Sequence, residues 1–173
     1  MSEPIPSETS GSVVRPTGPL GSIVCLLALA GGWLLVFLAL MQVTSIILRA
    51  IFGSPIPGDY EMIQLGTAIV VFCFLPITQL GRQNFAVTFL TDWMPRRARS
   101  RLALIGSLLM LAIALLLAWR TPIGGANLRR AADHTMILDI PIWWAFVPIS
   151  FALVCLVAAS VATFIQDLRG SDE

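Results

Sequence analysis

Asp59-Tyr60-Glu61 is followed by twenty residues without a charge, Met62 to Gly81 (MIQLGTAIVVFCFLPITQLG), and then by Arg82. Twenty helical residues at about 1.5 Å each cover roughly 30 Å, the thickness of the hydrocarbon core of a bilayer. The stretch therefore reads as a membrane span with acids at one surface and an arginine at the other. Asp59 is placed to cap the helix. Glu61 falls in its first turn, where the macrodipole favours negative charge. Pro76 predicts a kink.

The rest of the chain repeats this pattern. Of its 173 residues, 57% are hydrophobic and only 12% charged. Soluble domains carry about twice that charged fraction. Further uncharged runs cover 16–48, 102–119 and 140–166. The predicted fold class is an all-α integral membrane protein with four transmembrane helices. A short amphipathic interfacial helix is expected between the second and third. Its residues are 84–94, where Phe85, Ala86, Phe89, Leu90 and Trp93 share one face. Residues 1–19, rich in Ser, Pro, Thr and Gly, read as a disordered cytoplasmic tail. Residues 20–166 form the transmembrane domain, and 167–173 a second short cytoplasmic tail.

Local signals set the expected boundaries. The first helix spans about Leu20 to Leu48 and is closed by Arg49, with Ala28 and Gly32 giving a small-residue face. Leu102 to Trp119 forms the third, with Ala103, Ser107, Ala114 and Ala118 as further small positions. A polar segment from Arg120 to Asp139 follows, with Gly124-Gly125 as its turn. Asp139 is expected to cap the fourth helix and Pro141 to occupy its first turn, with Trp143 and Trp144 as interfacial anchors.

Arginine placement gives an orientation. All eleven basic residues are arginines. Arg15, Arg82, Arg96, Arg97, Arg99, Arg101 and Arg169 belong to the two tails and the middle loop. Arg49, Arg120, Arg129 and Arg130 belong to the other two loops. The positive-inside rule puts both termini in the cytoplasm.

The chemistry-bearing residues are sparse. Read this way, no Asp, Glu, Lys, Arg or His falls inside the four spans. Proton- and ion-coupled carriers usually hold such residues there, at about 2.5–3.5 kcal/mol each on insertion scales. His134 is the single histidine, and Cys25, Cys73 and Cys155 lie apart within apolar runs. Catalytic, cofactor-binding and metal roles are assigned to none of them, and no nucleic-acid partner is indicated. Helix-end charges are the candidate sites. Arg49, Asp59, Glu61, Arg82, Asn84 and Trp93 are candidate contacts to a partner subunit or lipid. The 96–101 arginine cluster suits anionic lipid.

The runs Pro57-Gly58-Asp59-Tyr60-Glu61, Phe74-Leu75-Pro76-Ile77-Thr78-Gln79, Arg82-Gln83-Asn84 and Thr135-Met136-Ile137-Leu138-Asp139-Ile140-Pro141-Ile142-Trp143 occur in order over residues 20–166. Together with Val87, Asp92 and Pro95 they resemble the small permease subunit of TRAP transporters, the DctQ type. The resemblance implies a non-enzymatic scaffold for a large permease subunit in the bacterial inner membrane. The large subunit would take up an organic acid or similar solute on a sodium gradient, and a periplasmic binding protein would deliver it. Arg129, Arg130 and Asp133 are then the candidate docking residues for that binding protein. The nearest alternative is the small membrane subunit of a tripartite tricarboxylate transporter. A quinone-linked thiol oxidoreductase would need paired periplasmic cysteines, and a small multidrug exporter a membrane-embedded carboxylate.

Overall fold

The computed structural model describes residues 19–81 and 96–170. Four helices follow one another: α1 Pro19–Phe52, α2 Asp59–Leu80, α3 Arg96–Ala131 and α4 Trp143–Gly170. Each is long and apolar enough to cross a membrane. The expected interfacial helix at 84–94 lies outside the described residues.

The helices form a row in the spatial order α1, α2, α4, α3. α2 and α4 are the inner members, α1 touches α4 only lightly, and α3 packs on α4 without comparable contact to α1 or α2. The core lies where Ala114 of α3 meets Ala145, Ile149, Leu153 and Leu156 of α4, with Leu65, Ile69 and Phe72 of α2 against it. Between helices in lipid, small residues permit the close backbone approach that gives van der Waals contact. The buried alanines here serve that purpose.

α1 and α2 pack antiparallel in layers seven residues apart. Gly31 faces Cys73, Leu38 faces Gly66, and Ser45 faces Asp59. A seven-residue repeat keeps one seam turned toward the neighbour. Val24, Ala28, Leu38 and Ser45 are buried along it, whereas Leu26, Leu29, Trp33, Leu40 and Ile47 are exposed. Two of the three layers depend on a missing side chain. A Cβ on Gly31 would come within 2.9 Å of Cys73 Cβ, and one on Gly66 within 2.6 Å of Leu38 Cδ1. The small-residue face expected at Ala28 and Gly32 is therefore corrected by one position. Gly32 has open space around it, and Gly31 makes the close contact.

α1 continues past Arg49 to Phe52 and stops at Gly53, whose φ of 71° suits the left-handed position that ends many helices. α3 departs further from expectation. It does not end at Trp119 but runs on through Arg120, Pro122 and Gly124-Gly125 to Ala131. The glycine pair is helical, not a turn. A Cβ on Gly125 would lie 2.9 Å from Phe146 Cβ, so the glycine lets α3 approach α4 at that point. α3 then closes with Ala132 at φ 51°. The Ala132 N–H donates to Arg129 O and the Asp133 N–H to Leu128 O, each at 3.3 Å. This is the Schellman arrangement with alanine where glycine is usual.

Asp139 does not cap α4. It has φ 53°, is largely exposed, and stands four residues before Trp143, where the helix starts; Pro141 also precedes the helix. Three hydroxyls within the spans bond a carbonyl one turn back in their own helix. Thr44 donates to Leu40 O, Thr78 to Phe74 O and Ser150 to Phe146 O, which satisfies them without water.

Candidate functional site

The end of the row where α1 and α3 finish and α2 and α4 begin is tied together by polar contacts. Gly58, with φ 77°, precedes α2. Asp59 is the first residue of α2 and makes no side-chain cap bond to it of the expected kind. Its Oδ1 accepts the Tyr60 N–H at 2.7 Å, and its Oδ2 accepts the hydroxyl of Ser45 in α1. Ser45 Oγ in turn accepts the Ile56 N–H at 3.3 Å. One carboxylate and one hydroxyl thus lock the α1–α2 corner.

Glu61 makes the longer link. Its Oε1 accepts the Ile137 N–H at 2.9 Å and its Oε2 the Leu138 N–H at 3.1 Å. A carboxylate accepting two N–H bonds acts as a two-pronged clamp, and charge-assisted bonds of this kind are about twice as strong as neutral ones. The clamped segment is itself ordered. The Thr135 N–H donates to Ile140 O and the Ile142 N–H to Asp133 O, and Thr135 Oγ1 accepts the Ile140 N–H at 3.0 Å. His134 pairs with Pro141 as a single antiparallel bridge. The Leu138 side chain occupies the space a Cβ on Gly58 would need. Glycine at 58 is therefore required twice, by its φ and by this contact.

The candidate docking residues share this end. Arg129 stands 5.1 Å over the ring of Trp143, within cation–π range. Trp143 and Trp144 meet edge-on with centroids 6.0 Å apart. Arg130 and Asp133 are exposed. His134 Nδ1 lies 4.0 Å from Asp139 Oδ1. Met136 is fully exposed, and Ile137 and Tyr60 are mostly so. Arg49 is exposed in the last turn of α1. Arg129 and Arg130 belong to the last turn of α3, where cations oppose the negative end of the dipole. Arg82, Asn84 and Trp93 lie outside the described residues.

At the opposite half of the row, Gln79 Nε2 of α2 donates to Thr163 Oγ1 of α4 at 3.2 Å. That hydroxyl also lies 3.0 Å from the carbonyls of Ala159 and Ser160.

Sequence reasoning placed Asp59 and Glu61 at a helix start but missed their partners. Ser45 falls inside the first uncharged run and Leu138 within a family motif, and nothing in either stretch ties it to an acid. A backbone N–H donor seventy-seven positions away leaves no local pattern.

This architecture defines an α-helical, multi-pass membrane protein whose charged residues, among those described and Arg120 apart, lie near helix ends or in the connections between helices. The family model for tripartite ATP-independent periplasmic transporters, DctQ component, matches residues 38–170, and the chain belongs to that family. No curated protein matches it. The chain is thus a component of a transporter of the TRAP class, and the tricarboxylate-transporter alternative is not favoured.

Proposed function

We propose that this chain is the scaffold subunit of its transporter. It holds a large permease subunit in the inner membrane, with both termini cytoplasmic. The large subunit takes up an organic acid or related solute on a sodium gradient, after a periplasmic binding protein delivers it. The observation that carries this reading is the open row. Its end helices α1 and α3 leave broad apolar faces uncovered: Trp33, Leu40 and Ile47 on α1, and Leu109, Leu116 and Trp119 on α3. A carrier encloses its solute path, whereas a row with two uncovered edges offers surface for a neighbour. The clamped 133–142 segment, with Arg129, Arg130 and Asp133 beside it, is the part offered to the binding protein.

The test is co-expression with a large TRAP permease subunit from the same genome. Solubilisation in mild detergent should retrieve both at a constant ratio through a tag on either. If the large subunit alone supports binding-protein-dependent, sodium-driven uptake while this chain elutes by itself, the scaffold role is wrong.

A further inference from the structure

The helix registers place one arginine at a level that its sequence position conceals. α2 and α4 run parallel, with Gln79 bonded to Thr163. α3 runs antiparallel to α4, with Gly125 against Phe146 and Arg129 over Trp143. Carried along these pairings, Arg120 comes level with the neighbourhood of Phe151 in α4 and Thr67 in α2. Thr67 lies six residues into the span from Glu61, about 9 Å along a helix at 1.5 Å per residue. At that level α2 is in its uncharged run. The sequence reading, which set Arg120 at a helix end, is thereby revised.

Arg120 also faces outward. It is exposed, beside Trp119 at 76% and Leu116 at 69% exposure, with Ile123 one turn on. This face belongs to the end helix of the row. No salt bridge joins Arg120 to a described residue. An unpaired arginine inside a span is costly, and such residues pair with an acid or reach for the surface. The second course is hindered here. Cα–Cβ bonds tilt toward the helix N-terminus, which in α3 is away from the Glu61 end. Lipid phosphates lie outside the hydrocarbon core. An arginine ringed by a tryptophan and aliphatic side chains is also the composition of strong interface contacts.

We propose that Arg120 pairs with a carboxylate on a membrane helix of the large permease subunit, which seats against the Leu116, Trp119 and Ile123 face of α3. This rests on the scaffold reading and names its contact. On α1, the face formed by Leu26, Leu29, Trp33 and Leu40 carries no charge and makes no such demand.

The test uses the co-expressed complex with Arg120→Glu, Arg120→Gln and Arg120→Lys. Breaking one side of a desolvated pair lowers retention of the large subunit by about 30-fold or more for Arg120→Glu. Arg120→Lys should retain more than Arg120→Gln. The membrane-inserted amount of this chain, measured without its partner, should stay unchanged. Independently, a benzophenone amino acid in place of Trp119 should cross-link to the large subunit in an otherwise native chain. Unaltered retention in Arg120→Glu, or a residue-119 probe that reaches only lipid, overturns the proposal and assigns Arg120 to phosphate. In both cases wild-type co-purification would still stand, so the scaffold reading survives. Failure of wild-type co-purification overturns both.

Discussion

The carboxylate of Glu61, in the first turn of α2, holds the backbone N–H of Leu138 at 3.1 Å, and Leu138 fills the space above Gly58. The segment before α4 is thereby pinned to the start of α2. Replacing Glu61 with Gln leaves one acceptor for two donors, and Ala leaves none. Amide exchange at Ile137 and Leu138 should accelerate on the order of tenfold in Glu61→Gln and more in Glu61→Ala. Hydrogen–deuterium exchange in detergent reads this directly. Unchanged protection at both amides would show that the turn holds itself through its own Thr135–Ile140 and Asp133–Ile142 bonds.

Adjacent glycines in α3 should respond in opposite directions. A Cβ on Gly124 would meet Phe146 Cε1 at 3.6 Å, an ordinary contact, while one on Gly125 would be 2.9 Å from Phe146 Cβ. Gly124→Ala should gain about 0.5–1 kcal/mol from helix propensity. Gly125→Ala should lose about 1–3 kcal/mol by forcing α3 from α4. Thermal unfolding of the purified subunit in one detergent gives the sign of each. Equal shifts would mean that the two helices do not meet at Phe146.

Leu38 and Gly66 should be energetically coupled, since a methyl on Gly66 would land 2.6 Å from Leu38 Cδ1. Gly66→Ala should destabilise by about 1–3 kcal/mol, and Leu38→Ala by about 2–5 kcal/mol through the cavity it leaves. The double variant should be less harmed than the two changes added together, because the new methyl enters the vacated space. Strict additivity in a double-mutant cycle would place the residues out of contact.

The proposed orientation predicts opposite labelling at two positions. In a background lacking Cys25, Cys73 and Cys155, Asp133→Cys should react with a membrane-impermeant maleimide applied to intact spheroplasts. Ser7→Cys should react only after lysis. The reverse pattern would invert the topology and remove Arg129, Arg130 and Asp133 from the periplasmic side.

Four membrane helices and their approximate positions were legible in the sequence. Membrane insertion sums over consecutive residues, so Met62 to Gly81 declares itself without reference to the rest of the chain. The family motifs, being contiguous runs, were equally visible. Tertiary structure alone decided the order α1, α2, α4, α3, the continuation of α3 through Gly124-Gly125, and the use of Gly31 in place of Gly32. It also paired Glu61 with Ile137 and Leu138, and its helix registers bring Arg120 level with the uncharged run of α2. Each of these depends on helix rotation and register. Those are set by contacts between residues far apart in the chain, such as Gly125 with Phe146 and Gln79 with Thr163, and no local pattern encodes them.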